Sequence, residues 1–466
     1  MNQHDNPRRL DAPVGLESRA AASGAAGPSA PASAAPLRIL HLSAMNLWGM
    51  AGNAGMCCLY ETLRGHVRAG YQVAIIIPAY DLWDNGRTPL EKPESPEFEV
   101  HQAPCRWLPA VKTLRAWATR LGGGRETPYV LRWGLGMVTW SLTTVSLFAA
   151  AMKLIWRGKR RFDIVYAHNE YAAIAGWLVH LACRIPNVTR LYGTFVTALM
   201  GRPLVALRYP VAAGGFLVPH SRLICANDGT RGDEAARKFR LDLGRFRFWQ
   251  DGVDRSPPDL SATRAEFAKS APANLRTDAR WALSCSRLSY WKRIDRMVRA
   301  LAVARRAGAA VQLLVAGDGP EKEPLAKLAA ELGVADDIVW LGPVPHDRIW
   351  QLMSLVDVFM ITNDVTNRCN PLFEAIRADL PVVSVLDPST KDLLVDGENA
   401  LLADRDDTDR LGRCLARLCS DAALVERMKQ AQRSRDALLW TWEERMEVEV
   451  RDLADLAAEG RRLRRA

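Results

Sequence analysis

Two basic residues stand close together where a hydrophobic segment of the chain ends. Arg287 ends the segment WALSCSRL, and Lys292 follows it within the turn SYWKR. Fixed positive charges at the end of a buried strand are suited to holding a diphosphate. A solvated pair of bases is the alternative interpretation, because exposed charges are common and contribute little to stability. The pair indicates a diphosphate-binding site only together with the other candidate residues that lie near it in the fold.

Two further sites follow hydrophobic segments in the same half of the chain. Gly317, Asp318 and Gly319 end the segment VQLLVAG in a tight turn, through which a ligand can approach the backbone closely. The segment LGPV ends at Val344, and its backbone can frame the edge of a base or a sugar. For the glycines, a simple strand-to-helix turn is the alternative.

A helix is predicted to begin within the segment TNDVTNRCNPLFEAIRADLPVV. Asn370 can cap this helix and Pro371 suits its first position, which leaves backbone N–H groups and the positive helix end for a phosphate. Glu374 is expected in the first turn, where its carboxylate can accept two hydroxyl groups of a ribose. The alternative is that the carboxylate only complements the helix dipole.

The first half of the chain offers weaker candidates at the ends of its predicted strands. The segment GMAGNAG, with Gly49, Gly52 and Asn53, would let backbone amides approach an anionic ligand, unless it is only a glycine-rich helix entry. His168 ends the strand DIVYAHN and can serve either a site or the core. Thr230 and Arg231 lie in NDGTRGD, where a turn and helix cap are the default interpretation.

The elements that position these residues form two predicted doubly wound α/β domains. Short apolar runs such as LRILHLSA, YQVAIII and VQLLVAG alternate with amphipathic segments, which is typical of parallel sheets covered by helices. The expected order is a disordered tail (1–36), a first domain (37–254), a polar linker (255–278), a second domain (279–435) and a helix returning to the first domain (436–466). Ligands of such sheets bind in the cleft at the carboxyl ends of the strands.

The formal net charge of +10 is concentrated in one stretch, a helical insert over residues 106–161. This stretch holds eleven basic residues, one acidic residue and five tryptophans, a composition that suits an anionic membrane surface. No nucleic-acid recognition module is evident, so no nucleic-acid partner is expected. A solvated basic face is the alternative.

Residues 134–152 within the insert carry no charge, which raises the possibility of a membrane span. Five hydroxyl residues, and strands of one predicted sheet on both sides of the segment, favour a buried or interfacial helix instead.

Composition narrows the remaining classes. With 48% hydrophobic and 24% charged residues, the chain is neither fibrous nor wholly disordered. Nine scattered cysteines without a Cys-x-x-Cys pair fit reduced thiols in the cytosol, without structural zinc. The acidic run DRDD at 404–407 is best explained as a helix cap, so no metal cofactor is expected. No second catalytic carboxylate is evident in the sequence, which argues against a hydrolase that uses paired acids.

Taken together, the segments SRLSYWKRID, VAGDGP, IVWLGPV and NPLFEAIRADLPVVS, in this order, resemble the retaining glycosyltransferases of the GT-B fold, specifically glycosyltransferase family 4 (group 1). The resemblance covers roughly residues 37–450. It implies transfer of a sugar from a nucleotide-sugar donor to a saccharide or lipid-linked acceptor with retention. It also implies diphosphate binding by Arg287 and Lys292, ribose binding by Glu374 and a position near the transferred sugar for His168. The donor-binding set is completed by Gly49, Gly52, Asn53, Gly317, Asp318, Gly319, Val344, Asn370, Pro371 and Leu372.

One departure from the family pattern concerns the donor sugar. The family motif has a second glutamate eight positions before Glu374, and Thr366 stands there instead. Because that glutamate contacts the sugar in the family, the identity of the sugar stays open, with Asp364 or Asn370 as possible substitutes.

The expected setting is surface polysaccharide or glycolipid assembly, with a peripheral location at the cytoplasmic face of the membrane. A nucleotide-sugar epimerase of the same fold and a non-catalytic membrane-associated scaffold are the alternatives.

Overall fold

Two parallel β-sheets organise the protein in a computed structural model that describes residues 36–45, 57–79, 95–121, 129–201, 204–254 and 263–465. The first sheet has seven strands in the order β3-β2-β1-β4-β5-β6-β7. Its strands are β1 (Arg38–Ser43), β2 (Gln72–Pro78), β3 (Glu99–Ala103), β4 (Ile164–His168), β5 (Asn187–Leu191), β6 (Arg222–Ala226) and β7 (Phe246–Trp249).

The second sheet has six strands in the order β10-β9-β8-β11-β12-β13. Its strands are β8 (Arg280–Cys285), β9 (Val311–Ala316), β10 (Ile338–Gly342), β11 (Val358–Ile361), β12 (Val382–Val385) and β13 (Ala400–Ala403). In both sheets the strand order reverses beside the first strand, and ligands of open α/β sheets bind at this switch point.

Helices cover the faces of both sheets. In the first domain they are α1 (Cys57–Arg68), α2 (Leu108–Leu121), α3 (Tyr129–Met152), α4 (Asn169–Cys183), α5 (Val196–Leu199), α6 (Val205–Arg208), α7 (Pro210–Leu217) and α8 (Gly232–Lys238). The others are α9 (Arg264–Ser270), α10 (Ile294–Arg306), α11 (Lys322–Glu331), α12 (His346–Leu355), α13 (Asn370–Arg377), α14 (Thr408–Ser420), α15 (Ala422–Asp436) and α16 (Trp442–Arg465).

The last helix, α16, returns to the first domain, as the sequence predicts. Its side chains Leu453 and Leu456 are buried in one cluster with Ile39 and Tyr166 of the first sheet. The two domains and this crossover constitute the GT-B architecture, so the predicted fold class is confirmed.

The segment predicted as a linker contains helix α9. Thr263 caps the helix and forms a reciprocal capping box with Glu266. Arg264 anchors it to the second domain, since its NH2 group lies 2.6 Å from Asp357 Oδ2. The second domain therefore begins before residue 279, and the prolines and polar residues around the capping box concealed this helix.

Helix α3 is the uncharged segment of the insert, and it continues through a π-helical turn, Lys153–Arg157. The helix Tyr129–Arg157 is long and apolar enough to cross a membrane, by length and composition alone. Of its most apolar 18-residue stretch, 39% is buried inside the protein. Leu147 and Ala151 pack into the core of the first domain. The Trp107 indole Nε1 donates to Ser146 Oγ at 3.0 Å, so hydroxyls of this helix are used inside the protein.

Candidate active site

The carboxyl ends of the two sheets face each other across a cleft, and three side-chain contacts join its walls. Thr366 Oγ1 donates to the backbone oxygen of Asp228 at 2.8 Å. Arg368 NH2 donates to Gln250 Oε1 at 2.7 Å, and Asn370 Nδ2 lies 3.4 Å from Cys58 Sγ. These contacts bring the segment after β11 against the ends of β6 and β7 and the start of α1.

The two predicted diphosphate-binding cations lie after β8, as the sequence suggests. Arg287 is exposed, and Lys292 ends a short 3₁₀ turn and is partly buried. Neither side chain has a hydrogen bond or ion pair within the described part of the chain. Burial raises the pKa of the Cys369 thiol while the Lys292 charge lowers it, which places the ammonium group near the residue before α13. The cations are therefore available to an anionic ligand at that helix start.

The glycine turn after β9 holds the loop that carries Arg287. Gly317 has φ +146°, and a side chain there would collide with the backbone oxygen of Ser286. Its N–H donates to the Gly342 oxygen at 2.7 Å, and the Leu288 N–H donates to the Asp318 oxygen at 2.9 Å. Close packing against this loop explains the glycine without any ligand, and it also fixes where Arg287 stands.

The other predicted residues of this turn and of the end of β10 contact their immediate surroundings in the second domain. Asp318 Oδ1 accepts from the Gly319 N–H at 2.8 Å. Val344 is partly buried and packs against the core of the second domain.

The start of helix α13 differs from the prediction. Cys369, not Asn370, is the N-cap residue, and it makes no side-chain capping hydrogen bond. Asn370 is the first helical residue and turns its amide toward Cys58 of the first domain, so it cannot cap its own helix. Pro371 lies at the second position, and the Leu372 side chain is buried in the core. The Leu372 and Phe373 N–H groups donate to the Cys369 oxygen at 2.9 and 3.2 Å, so what the helix start offers an anion is the positive end of its dipole.

Glu374 lies one residue deeper in the helix than predicted, just beyond its first turn. It is the fifth residue of α13, and its side chain is 5% exposed. His346 Nε2 lies 2.8 Å from Glu374 Oε1, which holds the carboxylate in one orientation. His346 begins α12, directly after the segment that ends β10, and sequence reasoning missed it because 28 residues separate the partners.

The position of the absent family glutamate is part of the contact between the domains. Thr366 Oγ1 is 3.0 Å from Ser389 Oγ and bonds Asp228, so it is fully engaged. Asp364, one proposed substitute, is 2.7 Å from Arg296 and 3.2 Å from Arg293. Two guanidinium groups therefore already hold its carboxylate.

His168 is buried beside a tyrosine. Its side chain is 0% exposed, and its partner Tyr192, the residue after β5, is partly buried. The Tyr192 oxygen is 2.7 Å from His168 Nδ1, and His168 Nε2 is 2.8 Å from His41 Nδ1. Burial, with the nearby Arg190 charge, lowers the pKa of His168 well below its usual value, so the ring is neutral. Tyr192 was missed because its strand has few hydrophobic residues.

The segment after β6 is a tight turn whose groups bond mainly to one another. Thr230 Oγ1 donates to Asp228 Oδ1 at 2.6 Å and accepts from the Thr194 N–H at 2.9 Å. Arg231 is 61% exposed and lies 3.4 Å from Glu234. In this segment, sequence reasoning overlooked Asp228. Burial raises its pKa to about 6, although the Thr230 hydrogen bonds lower it.

The predicted glycine-rich loop with Gly49, Gly52 and Asn53 lies outside the described residues. Its contribution to the cleft therefore stays a prediction.

Comparison with known proteins finds similarity to glycosyltransferases. The model of the glycosyl transferases group 1 matches residues 266–435. A GDP-mannose-dependent α-(1-6)-phosphatidylinositol monomannoside mannosyltransferase of Mycolicibacterium smegmatis is 25% identical over 272 residues, which are 55% of this chain and 71% of that protein. Its Mycobacterium tuberculosis counterpart is 31% identical over 199 residues, 41% of this chain and half of that protein's length.

Solved structures agree on the fold. Anabaena Alr3699/HepE in complex with UDP superposes with a TM-score of 0.62 at 16% identity, covering 90% of this chain and all of that one. The relatives found are transferases, which does not favour the epimerase alternative. The chain is a glycosyltransferase of the GT-B fold, and its residues 266–435 match the model of the glycosyl transferases group 1.

Proposed function

We propose that the protein transfers a sugar with retention from a nucleotide-sugar donor to a lipid-linked saccharide or glycolipid acceptor at the cytoplasmic face of a membrane. One observation carries the donor half of this proposal. Arg287 and Lys292, which have no ion-pair partner among the described residues, stand with the start of α13 and the oriented Glu374 carboxylate at one edge of the second sheet.

The donor would lie along this edge in a defined order. Arg287, Lys292 and the positive end of α13 would hold the diphosphate, because positive charge favours a dianion. Glu374, held by His346 at 2.8 Å, would accept the hydroxyl groups of the ribose. Val344 at the end of the neighbouring strand would lie beside the base.

The reaction breaks the bond between the anomeric carbon and the diphosphate oxygen. The acceptor oxygen attacks from the same face, and its proton goes to the departing phosphate. Arg287, Lys292 and the helix start would stabilise the negative charge that develops on the leaving group, which is electrostatic catalysis by preorganised groups. We assign no metal cofactor to this reaction, since these groups carry the charge themselves.

The acceptor half of the proposal rests on the surface of the helical insert. Large apolar side chains are exposed on it, including Trp117 at 58%, Val130 at 76% and Trp156 at 64%. Exposed cations lie among them, at Arg115, Arg120, Arg132, Lys153, Arg157, Lys159, Arg160 and Arg161. Apolar residues that enter the interface, surrounded by cations, are complementary to an anionic membrane. A lipid-bound acceptor would then reach the cleft from that surface.

The donor site is tested by ligand-dependent stability. A nucleotide at a hundred times its dissociation constant adds about 2.7 kcal/mol to the folded state. We expect one family among UDP, GDP, ADP and their sugar derivatives to raise the melting temperature. Arg287→Ala and Glu374→Ala should each abolish this response.

A matched control keeps the test specific. Arg306 is an exposed arginine at the end of α10 in the same domain, so Arg306→Ala should keep the full response. If no nucleotide shifts the melting temperature of the unaltered protein, the donor site is absent and the scaffold alternative takes its place. If Arg287→Ala binds with unchanged affinity, Arg287 does not hold the diphosphate.

A further inference from the structure

We infer that a cavity at the amino edge of the first sheet binds the phosphate monoester headgroup of an anionic membrane lipid that is not the acceptor. This amino-edge cavity has a volume of about 240 Å³, and its walls include Arg38, Gln72, Glu99, Arg160, Arg161 and Phe162. The inference rests on the proposed function, because it names a second partner on the membrane where the acceptor would be used.

The amino-edge cavity lies at the opposite edge of the sheet from the cleft. Arg38, Gln72 and Glu99 are the first residues of β1, β2 and β3. These strands are parallel, so their first residues share one edge of the sheet, and the cleft lies at the other. Strands of five to seven residues separate the two edges by roughly 20 Å. A headgroup held in this cavity is therefore too far from the donor to be the acceptor.

The cavity carries a formal net charge of +2. Arg160 is paired with Glu99, and the same carboxylate oxygen lies 3.2 Å from His101 Nε2. Burial raises the pKa of Glu99, but the hydrogen bonds from Arg160 and His101 outweigh burial and lower the pKa below its usual value. The carboxylate is therefore ionised, and three guanidinium groups against this one carboxylate leave the charge of +2.

Two of the three arginines have no counter-charge. The side chains of Arg38 and Arg161 are exposed and make no hydrogen bond or ion pair with residues that the structure describes. Asp163, which follows Phe162 in the chain, is used elsewhere. It accepts from the Arg38 backbone N–H at 3.0 Å and lies 3.4 Å from Arg461 NH1. Guanidinium groups without carboxylate partners are suited to phosphate, which they can hold through paired hydrogen bonds.

The charge of the cavity selects among phosphates. A phosphate monoester carries about −1.5 to −2 at pH 7, whereas a diester carries a single negative charge. Because the cavity has a net charge of +2, it is matched more closely by a monoester.

An exposed apolar stripe on α3 points to a lipid as the source of this phosphate. Val138, Val145 and Ala149 are exposed at spacings of seven and four residues, so they lie on one face of the helix. Trp156, in the π-helical turn that continues α3, is 64% exposed. Apolar side chains of this kind enter the membrane interface, and a soluble phosphate compound would make no use of them.

The turn after α3 connects this stripe to the cavity. The Arg160 N–H donates to the Ile155 oxygen at 3.1 Å, so the chain folds back on the turn. Lys159 has φ +50°, a left-handed conformation that is unfavourable for residues other than glycine. Phe162 is 7% exposed and packs into the cluster that holds the end of α3. A strained residue that its neighbours hold in place is typical of a binding site, and here it brings the arginines close to the exposed tryptophan.

The inference is tested by co-sedimentation of the full chain with phosphatidylcholine vesicles. The vesicles contain either phosphatidic acid, a monoester, or phosphatidylglycerol, a diester, at equal surface potential. We expect about fivefold tighter binding to phosphatidic acid, the effect of one additional cation that acts at the membrane surface. Equal binding to both would overturn the inference and leave the membrane location intact. Binding to neither would refute the membrane location in the proposed function itself.

The double variant Arg38→Gln with Arg161→Gln removes the two charges without partners. It should lose the preference for phosphatidic acid. Arg157→Gln with Lys159→Gln is the matched control, since both side chains are exposed and lie outside the residues that line the cavity. The control should bind both kinds of vesicle more weakly and keep the fivefold preference. A preference that survives in the first variant would overturn the inference.

The compound sn-glycerol 3-phosphate, a monoester without acyl chains, distinguishes a lipid from a soluble phosphate. We expect calorimetry to show no saturable binding at the cavity below about 1 mM, because this compound lacks the contact with α3. Micromolar binding that is abolished by Arg38→Gln with Arg161→Gln would assign the cavity to a soluble phosphate compound and overturn the lipid assignment.

Discussion

The Asp228 carboxylate lies where the turn after β6 meets the second domain, and burial raises its pKa to about 6 from an ordinary value near 3.8. The folded protein therefore holds this proton more tightly than the unfolded chain does. Stability must fall as the pH rises from about 4 to about 6, because the unfolded chain ionises first. The effect is on the order of 3 kcal/mol.

Asp228→Asn should remove the loss of folding stability that accompanies the rise in pH. The amide oxygen can still accept from the Thr230 N–H and hydroxyl, which both bond Oδ1. We expect the variant to be more stable than the unaltered protein at pH 7 and equally stable near pH 4, in urea unfolding at both pH values. A difference that does not change with pH would show that Asp228 is ionised normally in the folded protein.

Individual site residues were predictable only where their chemistry is carried by a local pattern. Arg287 and Lys292 follow a clear hydrophobic strand, and the structure leaves both side chains available. His346 and Tyr192 have no such pattern, because each acquires its role from a partner on another element, Glu374 and His168. Asn370 has the right type for a cap, but a contact with Cys58 of the other domain overrides that preference.

Among the elements, the helical insert is the one whose surface points to a function outside the fold. Replacing Arg157, Lys159, Arg160 and Arg161 by Gln should weaken binding to anionic phosphatidylglycerol vesicles at low salt. Each cation near an anionic surface contributes about 1 kcal/mol, so a loss of at least tenfold is expected in vesicle co-sedimentation. Fold stability should change little, because these side chains are exposed.

The matched control removes the same charge elsewhere. Arg299, Arg306, Arg413 and Arg427 are exposed on the helices of the second domain, and their replacement by Gln should leave vesicle binding unchanged. Equal binding by the two variants would mean that overall charge, and not the insert, attracts the protein. Binding that is insensitive to salt would also contradict an electrostatic contribution.

Strands with hydrophobic sequences were predictable. Elements that are stabilised by distant polar partners were not. Strand β5 contains buried Asn187, Thr189 and Arg190, so its sequence does not look like a buried strand. Arg190 is tolerated there because Asp251 and Glu449 neutralise it, and Glu449 is 259 residues away. Helix α9 was hidden for a different reason, since its capping box lies among prolines and polar residues.

At the scale of the whole molecule, the two domains meet at a glycine. Gly229 has φ +82°, and a side chain on it would collide with Thr366 and Ser389 of the second domain. Gly229→Ala should therefore force the domains apart and weaken nucleotide-sugar binding. We expect a larger radius of gyration in small-angle X-ray scattering, together with a loss of about 1–2 kcal/mol from the strained backbone.

Gly397→Ala is the control that strains the backbone without causing a collision between side chains. Gly397 has a similar φ of +78°, but a side chain there would meet open space. This variant should lose comparable stability while its scattering curve stays that of the unaltered protein. Unchanged scattering in Gly229→Ala would show that the contact through Thr366 does not hold the domains together.

The architecture at this scale was the most predictable part of the molecule. Alternating strands and helices lead to two parallel sheets, and short connections leave few topologies for them. The return of α16 to the first domain was also foreseen, from its length and position. Its buried charges were not, because Arg445 and Glu449 look like ordinary surface residues of an amphipathic helix.

Those charges have a consequence for the order of events during synthesis. Arg190 is in place on β5 long before Glu449 leaves the ribosome, 259 residues later. At 5–20 residues per second, the delay is on the order of 10 to 50 s. During that time the nascent first domain has a buried arginine without one of its two counter-charges, which is strongly destabilising. The first domain is encoded first but completed last, so its maturation depends on translation of the whole second domain.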